Sequence, residues 1–240
     1  MTAARLALPA VLLALTGTAA AADLPRVRNV ELQPLAAQAR RVADALELLG
    51  APLSAADRKA LADAAKDTNH ARSVQTIQSV LDKRCLAGLT VGTSGKDPDG
   101  IALQSTPGPA KPELAEQGWR VFLVKVHNRR GVDKLEVRVS SPNALPLTRR
   151  STSKPDPRVV SVGEVGKRFL DLTMYNKQPL LRPLSGLEVE YRILQVYCRD
   201  AGRKEAGLRF TLSADGAKPK DKPLADGGLL DFVFESAPAV

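Results

Sequence analysis

The chain has 240 residues, a formal net charge of +9 and an aromatic content of only 4%. That length is enough for one or two domains with a sizeable core. Few aromatic side chains are available to stack on bases, which argues against nucleic-acid binding. We interpret the basic charge as a source of solubility and of weak attraction to an anionic envelope surface.

Residues 1–22 have the three-part order of a secretory signal peptide. Arg5 supplies the positive charge, residues 6–15 form an apolar core, and residues 19–22 are alanines that suit cleavage. The core is shorter than the roughly 20 residues of a membrane-spanning helix. We therefore expect a cleaved leader, a periplasmic or extracellular location, and no transmembrane segment in the mature chain. The alternative, an uncleaved membrane anchor, fits the small-residue end less well.

Residues 23–88 are predicted to be a helical segment. Its first helix carries an apolar stripe at alternating spacings of four and three. The stripe consists of Leu35, Ala39, Val42, Leu46 and Leu49. Ser54 is a suitable N-cap for a second helix, and a third helix is predicted around residues 70–84. These helices are short and rich in alanine, so they need a surface to pack against.

Residues 89–240 are predicted to be an antiparallel β-sandwich of the immunoglobulin-like kind. The apolar period changes to two in this part of the chain, and turn-rich stretches separate several short strands. The strongest strand, residues 119–128, is apolar on both faces in its middle and is expected to be central. The predicted fold class is therefore α+β.

One later strand alternates apolar and charged residues. Residues 187–193 place Glu188, Glu190 and Arg192 on one face, which predicts a solvated side opposite a buried side. Two carboxylates about 7 Å apart on a strand also have the spacing of a glycosidase pair, an alternative that we consider weaker than a plain solvated face. The apolar parity changes after Ile193, which predicts a bulge there.

Cys85 and Cys198 are the only cysteines of the chain. An even pair in an oxidising compartment favours one disulfide, which would connect the two halves of the mature chain. The alternative is two separate buried thiols.

The usual catalytic motifs are missing from the sequence. His70 and His127 stand without a metal-binding context and are interpreted as surface or turn residues. Ser94 lacks the sequence of a nucleophile elbow, and residues 97–100 are interpreted as a turn instead of a calcium loop. We expect no catalytic residue, no metal and no cofactor.

Four aromatic residues offer two interpretations. Trp119, Tyr175, Tyr191 and Tyr197 could line a carbohydrate platform, but their strand positions favour core or half-buried packing.

Four arginines lie in predicted turns and connections of the β-rich region. These are Arg129, Arg130, Arg149 and Arg150. We interpret them as the rim of a binding surface formed by loops.

Five segments of the chain form a recognisable set. They are Gln33–Leu35, Leu48–Gly50, Val121–Asn128, Ser141–Ala144 and Tyr197–Gly202. Together they resemble the region before the catalytic domain in secreted CehA/McbA-type metallohydrolases, which are large bacterial proteins of the PHP superfamily. In that family, a helical segment and β-rich modules precede a hydrolase domain with many His and Asp metal ligands. The catalytic histidine motifs are absent here and the sequence ends at Val240, so the resemblance implies an accessory module and not an active hydrolase.

The sequence thus predicts an exported, non-catalytic binding or accessory module for an unknown protein or polysaccharide. Two other functions stay open at this point. One is a secreted hydrolase that uses a metal or carboxylates, and the other is a structural envelope protein.

Overall fold

A computed structural model gives the fold of most of the chain. It describes residues 23–95, 97–145, 148–150, 157–159 and 161–239. The predicted leader at residues 1–22 lies outside the described residues. Within the described ranges, no helix is long and apolar enough to cross a membrane.

Three helices open the described chain, and the predicted helical segment is confirmed. They are α1 (Leu32–Leu48), α2 (Ala55–Ala64) and α3 (His70–Asp82). Ser54 caps α2 by accepting a hydrogen bond of 3.0 Å from the Asp57 backbone N–H, and Asn69 does the same for the Arg72 N–H at α3. Gly50 follows α1 with a φ of 70°, a conformation that suits glycine at a helix end.

Strands make up most of the remaining chain, and the first begins ahead of the predicted boundary at residue 89. The strands are β1 (Cys85–Ser94), β2 (Asp97–Pro107), β3 (Glu113–Ala115), β4 (Gly118–Asn128), β5 (Leu135–Ser140), β6 (Thr148–Arg150), β7 (Pro157–Val159), β8 (Leu170–Met174), β9 (Val189–Cys198), β10 (Gly202–Ala214) and β11 (Ala225–Ala237). A short helix, α4 (Val162–Val165), precedes β8.

The strands form two mixed sheets and a small ribbon. The first sheet has the order β2-β1-β4-β9-β8, the second has the order β3-β11-β10-β5, and β6 pairs with β7. The expectation of wholly antiparallel sheets is wrong, because β1 pairs with β4 and β3 pairs with β11 in parallel. The chain passes through β2 and β3 between β1 and β4, which gives it the length that a parallel crossover needs.

Two apolar cores lie on opposite sides of the five-stranded sheet. One fills the space between the two sheets, and the other joins the helices to the first sheet. In β9, Tyr191 and Ile193 contact the helices, whereas Leu194 and Val196 belong to the core between the sheets. The helices therefore find on this sheet the packing surface that they need.

The prediction of a solvated face and a bulge in β9 is wrong. Glu190 and Arg192 are only 2% and 3% exposed, and the pairing of β9 with β4 runs without a register shift from Val189 to Cys198. The apolar parity changes because the strand is covered on both faces, and its two halves place their apolar side chains on different faces.

The predicted disulfide is not formed, and both thiols are free and buried. Cys85 belongs to the helix-side core and Cys198 to the core between the sheets. Cys85 pairs with Leu123, which pairs with Ile193, so the two cysteines are separated by roughly 17 Å along the strands and roughly 10 Å across them. A disulfide needs Cα atoms within about 7 Å. The alternative of two separate thiols therefore describes the structure.

Candidate functional site

The helix-facing side of the first sheet has an end that the helices leave open. Side chains directly opposite each other in antiparallel strands share a face, so the register places two rows of residues there. We call these two rows the sheet platform. It consists of Trp119, Tyr197 and Asp171 in the outer row and Val121, Gln195 and Thr173 in the inner row.

Two aromatic rings in tilted contact dominate the sheet platform. The ring centroids of Trp119 and Tyr197 are 5.4 Å apart and the planes are tilted by 54°. Trp119 is 52% exposed, which is unusual for so large an apolar side chain. The Tyr197 hydroxyl donates a hydrogen bond of 3.1 Å to Gln117 Oε1, and Gln117 Nε2 donates to the Arg199 carbonyl at 3.0 Å. These bonds hold the tyrosine ring in place beside the indole.

Polar groups surround the aromatic pair. Arg199 forms an ion pair with Asp171 and also donates to the carbonyls of Arg168 and Leu170. The guanidinium is thereby fixed, and the carboxylate beside it keeps a side-chain exposure of 48%. Gln195 is half-buried and Thr173 exposed. The sheet platform therefore combines a rigid aromatic surface with hydrogen-bonding groups that solvent reaches.

The structure unites only part of the aromatic set named from the sequence. Trp119 and Tyr197 meet, but Tyr191 is fully buried and the Tyr175 hydroxyl donates to the Gln178 carbonyl at 2.6 Å beside the helix-side core. Sequence reasoning missed Asp171, Gln195 and Thr173. Their position in one patch depends on the β8–β9 register, for which the sequence carries no signal.

A buried polar cluster lies on the same sheet face, under the helices. Lys125 Nζ is 2.8 Å from Asp82 Oδ2, and the Tyr191 hydroxyl donates to Asp82 Oδ1 at 2.7 Å. Burial raises the pKa of Asp82, although Lys125 acts to lower it. Burial likewise raises the pKa values of Tyr191 and of Cys85. Because these groups satisfy one another away from solvent, their arrangement is structural.

The first described residues cover that cluster. Lys125 Nζ donates to the Pro25 carbonyl at 3.0 Å, and Gln78 makes two hydrogen bonds with the backbone of Val27. The Leu24 side chain occupies the space beside Gly88 that a Cβ would otherwise fill. Solvent and ligands therefore have no direct approach to Lys125.

A second group of buried charges lies near one end of β9. Glu190 accepts hydrogen bonds from the backbone N–H and the hydroxyl of Ser185, at 2.8 and 2.9 Å. Arg192 donates to Asn176 Oδ1 and to the Arg182 carbonyl. Burial raises the pKa of Glu190 and lowers the pKa of Arg192. Both buried charges therefore have hydrogen-bond partners within the protein.

The carboxylate pair considered from the sequence does not form a facing pair. Glu188 has an exposed side chain 3.9 Å from His127 Nε2, whereas Glu190 is buried against Ser185. Burial lowers the pKa of His127. His70 is exposed at the first residue of α3. Among the residues that the structure describes, no group of three or more His, Cys, Asp or Glu side chains is placed to hold a metal ion.

The four arginines of the predicted rim belong to two separate elements. Arg129 is exposed after β4, and Arg130 Nη1 donates to the Gly100 carbonyl at 2.6 Å. Arg149 and Arg150 lie in β6, with side chains outside the described part of the chain. A single rim of all four stays a prediction.

Comparisons with known proteins add little. No family model and no curated protein matches the chain. Among solved structures, it is similar to AvmM, which catalyses macrocyclization in alchivemycin A biosynthesis, with 13% identity, a TM-score of 0.25, and coverage of 66% of this chain and 92% of that chain. It is also similar to the inclusion body protein PixA from Burkholderia cenocepacia, with 10% identity, a TM-score of 0.18, and coverage of 66% and 98%. Likenesses at these scores carry no argument about fold or function.

Proposed function

We propose that the chain is an exported, non-catalytic binding module that holds a polysaccharide on the sheet platform. The observation that carries this proposal is the exposed Trp119 ring, which contacts the tilted ring of Tyr197 over an ordered sheet. Sugar rings present apolar C–H faces and polar hydroxyl edges. An indole offers a large apolar contact for the face, with little side-chain entropy to lose.

The polar surroundings fit the edge of a sugar ring. Asp171, Gln195 and Thr173 lie in the same two rows as the aromatic pair and offer both donors and acceptors. Because the strands fix all of these positions, the sheet platform is preorganised before a ligand arrives. An extended polymer suits it better than a small ligand, because the patch is open and not enclosed.

The proposal includes the architecture and the context of the module. We propose that the two facing sheets form a β-sandwich. Immunoglobulin-like sandwiches have antiparallel sheets, so the two parallel pairs leave only the facing of two sheets in common with that fold. The accessory role beside a metallohydrolase, suggested by the sequence resemblance, is compatible with a surface that holds a polymer near an enzyme.

The only tryptophan of the chain provides the test, because its fluorescence reports on the sheet platform alone. We expect a saturable change in emission on titration with a soluble fragment of peptidoglycan, chitin or cellulose. If no fragment of the panel changes the emission and none of the insoluble polymers retains the protein, the proposal is wrong.

Variants separate the sheet platform from other surfaces. Trp119→Ala should weaken retention on the bound polymer by roughly tenfold or more, which is about 1.4 kcal/mol of binding free energy. Leu229→Ala is the matched control, because Leu229 is a similarly exposed apolar residue on the other sheet. Equal retention of both variants and the unchanged chain would place binding elsewhere.

A further inference from the structure

We propose that the protein associates head to tail with a second copy of itself, through an acidic groove on one copy and a basic loop on the next. This proposal uses surfaces other than the sheet platform and does not depend on polysaccharide binding.

The acidic groove lies between the end of α1 and the segment after β8. It is lined by Asp44, Glu47, Leu48, Gln178 and Pro179. Asp44 lies one turn before both Glu47 and Leu48 on α1, so two carboxylates lie near the leucine. Leu48 is 71% exposed, the largest exposure of a leucine among the described residues. Among the described residues, none forms an ion pair with Asp44 or Glu47.

The groove is a formed surface. Leu180, next to Pro179, is buried in the helix-side core, and its backbone N–H donates to the Lys177 carbonyl at 3.0 Å. The Tyr175 hydroxyl fixes the Gln178 carbonyl from the other side. Leu48 and Pro179 form the apolar floor of this groove. The floor stays exposed to solvent in the isolated chain, so binding of an apolar side chain that covers it would be favoured.

The basic loop joins β10 to β11. Its three exposed lysines are Lys218, Lys220 and Lys222. Leu224 follows them and is 53% exposed. The Lys218 N–H donates to Asp221 Oδ2 at 2.7 Å, and the Leu224 N–H donates to the Leu212 carbonyl at 2.8 Å. The loop thus presents an apolar side chain beside several ammonium groups in a fixed conformation.

The two surfaces are complementary in charge and in apolar character. A chain with a net charge of +9 repels its own copies in general, so the acidic groove is a local exception that suits a basic partner. The basic loop supplies both the ammonium groups for Asp44 and Glu47 and a leucine for the exposed apolar floor. A second copy always carries this loop, at the same concentration as the groove.

The expected assembly is heterologous, because the groove and the loop are different surfaces. Such contacts produce rings or open chains of copies and not closed symmetric pairs. An assembly of this kind would show several sheet platforms to one polymer and raise its apparent affinity through multivalency.

Sedimentation velocity of the full exported chain tests the proposal. At low salt we expect the average mass to rise with protein concentration, and at high salt to fall toward that of one copy because the charges are screened. The charge reversals D44K/E47K and K220E/K222E should each weaken self-association by at least about tenfold. All four positions are exposed, so the folds should be retained, and circular dichroism checks this.

Mixing the two variants gives the decisive result. The unchanged groove of K220E/K222E then meets the unchanged loop of D44K/E47K, and the reversed groove meets the reversed loop, so association should return. A chain that stays single at low salt at every concentration would overturn the proposal. So would variants that associate as well as the unchanged protein, or a mixture that associates no better than its parts.

Discussion

Glu136 and Glu190 are both buried carboxylates, but their surroundings change their pKa values in opposite directions. At Glu190, burial outweighs the hydrogen bonds from Ser185 and raises the pKa. At Glu136, burial also acts to raise the pKa, but hydrogen bonds from Arg182 and Arg138 outweigh it and lower the pKa. The two residues therefore affect the pH dependence of stability with opposite signs.

The free energy of unfolding, measured against pH for the unchanged chain, Glu190→Gln and Glu136→Gln, checks these signs. Folded Glu190 binds its proton more tightly than unfolded Glu190, so its contribution to stability should be present in acid and lost as pH rises through its raised pKa. Folded Glu136 binds its proton more weakly, so its contribution should be present above the ordinary carboxyl pKa and lost as pH falls through its lowered pKa. The difference in the free energy of unfolding between variant and unchanged chain should therefore change with pH above the ordinary carboxyl pKa for Glu190→Gln. For Glu136→Gln it should change below that pKa. Parallel profiles for the two variants would contradict this account.

These charged residues also show what residue-level sequence reasoning misses. Glu190 and Arg192 alternate with apolar neighbours, and that alternation usually indicates a wet face. Their burial depends on Ser185 and Asn176, which lie in the preceding segment and approach only when the chain has folded. The alternation therefore shows which residues of β9 face the helices. It does not show that other parts of the chain cover the opposite face.

At the scale of elements, the close approach of β1 to the residue after β2 explains a glycine. A Cβ on Gly108 would lie 2.1 Å from the Cys85 carbonyl oxygen, which is backbone and cannot rotate away. Gly92, within β1, has no heavy atom within 4 Å of the corresponding position. The same substitution at these two positions therefore separates the close backbone contact from the general effect of replacing glycine by alanine.

We expect Gly108→Ala to lower the free energy of unfolding by about 1–3 kcal/mol, the range of overpacked sites, because the two backbones must move apart. Gly92→Ala should change it by no more than about 0.5 kcal/mol. Urea unfolding followed by circular dichroism measures both values. An equal loss in the two variants would show that the effect comes from replacing glycine by alanine in general and not from the contact with Cys85.

Elements were predicted with unequal success, and the reason is the range of the interactions involved. The caps at Ser54 and the apolar stripe of α1 are local, so the helices follow from the sequence. The order β2-β1-β4-β9-β8 and the parallel β1–β4 pair depend on contacts between distant residues. The same limit applies to the sheet platform, because Trp119 was recognisable as a binding candidate but its row partners were not.

At the scale of the whole molecule, the domain division expected at residue 88 crosses a continuous core. Leu35 of α1, Ile77 of α3 and Tyr191 of β9 belong to the same buried cluster. Removing the helices would expose the apolar side chains of β4 and β9 that face them and would leave the Lys125–Asp82 pair without one partner. An isolated buried charge is strongly destabilising. The helices and the sheet should therefore unfold together.

Thermal unfolding followed by two probes tests this expectation. Helical circular dichroism reports mainly on α1–α3, whereas the fluorescence of Trp119 reports on the sheet. For one cooperative unit the two transitions coincide. Leu35→Ala should lower both midpoints together, because a fully buried leucine truncated to alanine loses about 2–5 kcal/mol. Leu48→Ala, in the same helix but exposed, should leave both nearly unchanged in dilute solution. A helical transition that precedes the sheet transition, or a Leu35→Ala effect on the helical signal alone, would instead establish residues 23–88 as a separate unit.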